Sequence, residues 1–104
     1  MDTSVVDSPP QHRFEIRADG ELAGFAAYRE GEREIVFTHT EIDPAYEGKG
    51  LGSVLVRAAL DEVRSRGHAV LPACPFVRSF VERHPDYLDL VPVAERDRFG
   101  LPTG

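Results

Sequence analysis

The residues best placed to do chemistry are three glycines that alternate through Gly48-Lys49-Gly50-Leu51-Gly52. They fall where a β-rich first half hands over to a helical second half. Without side chains, their backbone N–H groups can approach an anion closely, and the dipole of the helix that follows adds to the attraction. The segment is a phosphate cradle in outline, or else a tight glycine-rich helix start. It is neither the dinucleotide fingerprint nor a Walker loop, which needs Gly-x-x-x-x-Gly-Lys followed by Ser or Thr. Lys49 is the single lysine among the 12 basic residues of the chain, and it sits between two of these glycines. A second candidate is Cys74, the only cysteine. It can form neither an internal disulfide nor a multi-cysteine zinc site, so it is a free thiol that either reacts or fills space as a small hydrophobe. The four histidines, His12, His39, His68 and His84, lack metal-ligand spacing, and no metal is expected.

The elements that must position these residues are read from periodicity. Phe14 and Ile16 alternate with Arg13, Glu15 and Arg17 in a first strand, Asp19-Gly20 makes a hairpin turn, and Leu22 to Tyr28 form a second strand. Arg29-Glu30-Gly31-Glu32 reads as the next turn, leading into a β-branched third strand from Ile35 to Ile42. Side chains alternate along a strand, which puts Phe37, His39 and Glu41 on one face and Val36, Thr38, Thr40 and Ile42 on the other. From Leu51, the residues Val54, Leu55, Ala58, Ala59 and Val63 recur at helical spacing, and Gly67 is the stop. Ala69 to Ala73 reads as a short buried strand, parallel because a helix precedes it, and Phe76 to Val81 as a second helix ending near His84, ahead of Pro85. The fold class is therefore α/β with a mixed sheet: an antiparallel meander of three strands, then helix, parallel strand and short helix. Residues 1–11 and 92–104 read as tails around a domain of residues 12–91.

Composition narrows the function. A chain of 104 residues has room for one core, and 41% hydrophobic with 29% charged residues is ordinary for a globular protein. The net charge of −6, with no basic run, argues against nucleic acid as a partner. No apolar stretch approaches the ~20 residues of a membrane span, and the acidic, polar N-terminus is unlike a signal peptide. The expectation is a cytoplasmic protein that does not enter a membrane, with oligomeric state left open.

With the segment Glu47 to Gly52 in view, the chain resembles the GNAT superfamily of N-acetyltransferases. The acetyl-CoA signature of that family is Gln or Arg, two residues, Gly, one residue, then Gly or Ala. Gly50 and Gly52 match it, and Ile42-Asp43-Pro44-Ala45-Tyr46 resembles the strand end and Pro-containing turn before it. Phe37 to Glu41, Pro72 to Phe76 and His84 to Tyr87 look like a small branch of N-acetyltransferase-domain proteins, the YjdJ type. The resemblance implies acetyl-CoA as acetyl donor, an unidentified amine of a small molecule or protein as acceptor, and Ile42, Gly48, Lys49, Gly50, Leu51, Gly52 and Ser53 as the coenzyme A site. It departs at Glu47, which stands in the Gln or Arg position and cannot donate to a diphosphate. The loop's N–H groups, helped by Lys49, must then carry the anion. Helices that close the acceptor site in most members have no counterpart, which leaves an open groove or one that a partner completes.

Acetyl transfer to an amine needs a base, an oxyanion donor and an acid for the leaving thiolate. The family uses a backbone N–H near the strand end, here around Ile42, for the second. Glu41 is the favoured base, directly or through water, with His39 as the alternative; either could equally be an ordinary polar strand residue. The family's acidic tyrosine is matched here by Phe80-Val81, which has no proton to give. Cys74, just ahead of the second helix, is the replacement, as thiol acid or as a nucleophile passing through an acetyl-cysteine. His84 and Tyr87 read as reaching the pantetheine arm or as part of a helix stop. The competing function is a module that binds CoA or acyl-CoA without turnover.

Overall fold

The computed structural model describes residues 1–103. One five-stranded sheet runs in chain order: β1 (Thr3–Ser8), β2 (Arg13–Ala18), β3 (Glu21–Gly31), β4 (Glu34–Ile42) and β5 (Ala69–Pro72). The first four strands pair antiparallel and β4 with β5 pairs parallel, through the crossover helix α1 (Leu51–Ser65). Helix α2 (Pro75–Arg83) follows β5, and a single turn, α3 (Val93–Arg96), lies near the C-terminus. The mixed α/β architecture expected from periodicity is present, with one strand more than the meander of three.

That strand is β1, inside the segment read as a tail. Its residues alternate too weakly to signal burial, but an edge strand needs only backbone partners and one anchored face. Val5 pairs with Ile16, and Asp7 is held by the Tyr28 hydroxyl at 2.6 Å and the Arg66 guanidinium at 2.7 Å. The other terminal segment is also packed: Leu101 is buried, and the Arg96 guanidinium donates to the carbonyls of Val91 and Leu88. The β2–β3 hairpin turns on Asp19-Gly20, both at positive φ, as a two-residue primed turn requires. The next turn lies at Glu32-Arg33, later than expected, because Arg29, Glu30 and Gly31 extend β3 and Gly31 pairs with Glu34.

Helix α1 buries Gly52, Leu55, Val56, Ala59, Leu60 and Val63, an i, i+3, i+4 stripe against the sheet. Val54, expected inside, is 42% exposed, since it falls off that stripe. Phe14, Ile16, Ile35, Phe37, Val70 and Phe80 complete the core, each such side chain contributing on the order of 1.5–3 kcal/mol.

A β-bulge in β4 decides which side chains meet. Ala27 faces His39 and Tyr28 faces Phe37, so Thr38 is the extra residue. The alternation resets there. Ile35 and Phe37 point into the core, and after the bulge Thr40 and Ile42 take that side while His39 and Glu41 point outward. The expectation that Phe37 shares a face with His39 and Glu41 is overturned by that one residue.

Candidate functional site

Beyond the bulge the sheet opens. Parallel pairing of β4 with β5 runs only from Glu34 opposite Ala69 to Phe37 opposite Pro72, where proline ends the ladder for want of an N–H. The Cys74 N–H reaches back to the Phe37 carbonyl at 2.8 Å, and from Thr38 to Ile42 β4 pairs with β3 alone. One edge of β4 is therefore left without a strand, next to the start of α1.

The chain leaves β4 through a turn at Pro44–Tyr46, where Asp43 Oδ1 accepts the Ala45 N–H at 2.9 Å. Gly48 and Gly50 then adopt positive φ (79° and 73°), a conformation strained for side-chain-bearing residues. Gly50 caps α1 without a side-chain hydrogen bond, so the first-turn N–H groups have no capping side chain and lie toward the loop. Gly52 lies close to α2: a Cβ there would stand 2.6 Å from Phe76 Cζ, the far end of that ring. A cavity of about 320 Å³ is bordered by Ile42, Gly48, Gly50, Leu51, Gly52 and Ser53. Six of the seven residues expected to form the coenzyme site thus share one cavity; Lys49 is not among those that line it.

Glu47, already singled out at the signature's Gln or Arg position, borders the same cavity from the loop. The cavity also brings in residues that sequence reading missed, Tyr46 from the turn before the loop and Phe76 and Arg83 from α2. Phe76 and Arg83 are seven residues apart, two helical turns, so α2 presents them on one stripe. That spacing was visible in the sequence; that the stripe faces the glycine loop was not.

His39 and Glu41 come together, Nε2 to Oε2 at 3.4 Å, with side chains 63% and 62% exposed. They lie on the outward face, beside a second cavity of about 220 Å³ formed by Leu22, Gly24, Phe25, Glu41, Asp43 and Pro44. Gly24 is another missed residue, since a Cβ there would lie 2.5 Å from the Glu41 carbonyl oxygen. Cys74 is on the other side of β4: it is buried, stands immediately before α2, and its Sγ lies 3.2 Å from Thr40 Oγ1. The three expected catalytic residues therefore divide between the two faces.

Tyr87 and His84 are occupied in packing. The Tyr87 hydroxyl donates to Asp61 Oδ1 at 2.7 Å and accepts from Arg57 at 3.3 Å. Burial, followed by the Asp61 carboxylate, raises its pKa. The His84 ring lies 4.2 Å from that of Phe80. Among the described residues no three His, Cys, Asp or Glu side chains gather as metal ligands, and no helix is long and apolar enough to cross a membrane.

A family model described as GCN5-related N-acetyl-transferase matches residues 13–90. Streptothricin acetyltransferase of Streptomyces lavendulae is 44% identical over 54 residues, which cover 50% of this chain and 29% of that protein. Protein NATD1 of Bos taurus is 34% identical over 55 residues, 53% of this chain and 49% of that one. The alignment with Protein NATD1 of Danio rerio, at 28% identity, covers 78% and 77% of the two chains. The chain thus spans less than half the length of the first two. In fold it is similar to the solution structure of a GCN5-like protein from Staphylococcus aureus, with a TM-score of 0.65 at 21% identity over 86% and 87% of the two chains.

Proposed function

This chain belongs to the GCN5-related N-acetyltransferase family, and from that membership we propose that it moves an acetyl group from acetyl-CoA to an amine. The observation that carries the reading is the cluster of open glycine-loop and first-turn N–H groups at the mouth of the β4–β5 split. The diphosphate lies against Gly48 to Ser53, and the pantetheine arm runs along the free edge of β4, whose N–H and C=O groups offer it strand-like hydrogen bonds. The thioester then sits near Ile42, whose backbone N–H stabilises the oxyanion.

In the transfer, the amine nitrogen attacks the thioester carbonyl carbon. A C–N bond forms, the tetrahedral oxyanion collapses, and the C–S bond breaks to release the thiolate. Glu41, through water, removes the amine proton, and His39 is the alternative base. Cys74 supplies a proton to the thiolate, or takes the acetyl group first and passes it on. Glu41 and Asp43 beside the apolar walls of Leu22, Phe25 and Pro44 suit an acceptor that arrives as an ammonium. The single cysteine fits a cytoplasmic setting.

Two observations favour a second reading, a CoA-binding module without turnover. Glu47 borders the loop cavity, and Phe80 and Val81 are buried side chains without a hydroxyl. Both readings predict CoA binding, and consumption of thioester when amines are supplied separates them. The first experiment is titration with acetyl-CoA and free CoA, repeated on Gly50→Glu. Binding lost in the variant supports the loop as the site, and absence of wild-type binding at millimolar ligand removes both readings.

A further inference from the structure

We infer that Arg83 supplies, from α2, a cationic donor to the CoA diphosphate in place of the side-chain donor that the family signature puts at the loop position occupied here by Glu47. The inference rests on the proposed reading of the glycine loop as a coenzyme site. Its starting point is an imbalance of charge. The cavity is bordered by one carboxylate, Glu47, and the ligand brings two more negative charges. Against them the start of α1 offers about half a unit of positive charge. Lys49, the cation expected to help, does not line the cavity. Arg83 does, and it is the only cationic side chain that does so among the described residues.

Arg83 is also free for the task. Arg13, Arg17, Arg64, Arg66, Arg78 and Arg98 are each engaged with a carboxylate. Arg83 is in no ion pair among the described residues, and its one hydrogen bond is a long contact of 3.4 Å from Nε to the Ser79 carbonyl. Its position follows from the helix. Phe76 lies against Gly52, and Arg83 is two turns further on the same stripe, about 10 Å along the axis. A guanidinium at that point borders the same cavity as the loop and, on leaving the Ser79 carbonyl, can fork two hydrogen bonds onto phosphate oxygens. The side-chain donor thus comes from α2, across the cavity from the loop, and a carboxylate at position 47 is tolerated because Arg83 answers it.

The test is calorimetric titration of the full chain with acetyl-CoA and with dephospho-CoA, which keeps the diphosphate and lacks the 3′-phosphate. Arg83→Ala should weaken both ligands about tenfold, the loss typical of one partly exposed charge-assisted contact. Glu47→Arg in the Arg83→Ala background should recover most of that loss by returning the cation to the loop. Arg83→Gln serves in place of alanine if the latter melts early. Unchanged affinities in a wild type that binds CoA overturn this assignment alone. A loss confined to acetyl-CoA, with dephospho-CoA unaffected, also overturns it, because Arg83 then reads the 3′-phosphate. A wild type that binds neither ligand overturns the coenzyme site and Arg83 together.

Discussion

Thr40 Oγ1 lies 3.2 Å from Cys74 Sγ, joining β4 just past its bulge to the residue immediately before α2. This contact spans the point where β4 and β5 separate, and it gives the buried thiol one polar partner. If Cys74 takes part in transfer, Cys74→Ala should lower kcat roughly a hundredfold, the scale of general acid catalysis, with acetyl-CoA affinity unchanged. Intact-mass spectra at slow turnover divide the two roles: an acetyl adduct missing from the variant marks a nucleophile. A variant with wild-type kcat assigns the thiol to packing.

Glu41 and His39 are neighbours on the outward face and equally exposed. Glu41→Gln should reduce kcat by roughly a hundredfold while His39→Ala changes it little, if the carboxylate is the base. Full rates in both variants would falsify the assignment of either residue.

Gly24 lies against β4 where no side chain fits: a Cβ would stand 2.5 Å from the Glu41 carbonyl oxygen and 2.6 Å from Ile42 Cδ1. Because backbone cannot swing aside, Gly24→Ala should destabilise the fold by about 1–3 kcal/mol in urea titration. A loss of a few tenths would show that β3 and β4 separate more readily than this packing implies.

Gly52 is the contrasting case. Its close neighbour is Phe76 Cζ, the far end of a ring that is 38% exposed and can move. Gly52→Ala gains up to about 1 kcal/mol of helix propensity, which offsets the displaced ring, so Tm should change little. Acetyl-CoA affinity should fall, because the ring is pushed within the cavity that Gly52 and Phe76 share. Equal affinity in wild type and variant counts against ligand at this spot.

Two tyrosines set the alkaline limit of stability. Burial first, then donation to Asp7 at 2.6 Å, holds the Tyr28 hydroxyl well above the ordinary phenol range, and burial with Asp61 raises Tyr87. Both are neutral in the folded chain. Their contribution is fully present below the unfolded tyrosine pKa of about 10 and is lost as pH rises from there through the folded values. Urea midpoints should drop between about pH 9 and about pH 11, and less steeply for Tyr28→Phe. Parallel slopes for the two proteins would place the alkaline sensitivity elsewhere.

Much of this protein is legible along the chain because its signals are local. Asp19-Gly20 specifies its own turn, the stripe from Leu55 to Val63 specifies a helix face, and Pro85 stops α2. The glycines of the loop declare a backbone open to close approach by lacking side chains. Strand β1 escaped because an edge strand is held by backbone pairing and by Tyr28 and Arg66, which come from distant parts of the chain.

Around the site, the sequence by itself determined residue types: a glycine loop, an acid at Glu47, one thiol, and Phe76 and Arg83 at helical spacing. Only the tertiary structure decided which of them meet. The bulge at Thr38 is a mismatch of register between two strands, a property of the pair and not of either segment, yet it turns His39 and Glu41 outward and Thr40 toward Cys74. The packing of α2 against Gly52 likewise decides that Arg83, and not Lys49, borders the loop cavity, because a helix sets the relative positions of its own side chains but its azimuth is set by what it packs against.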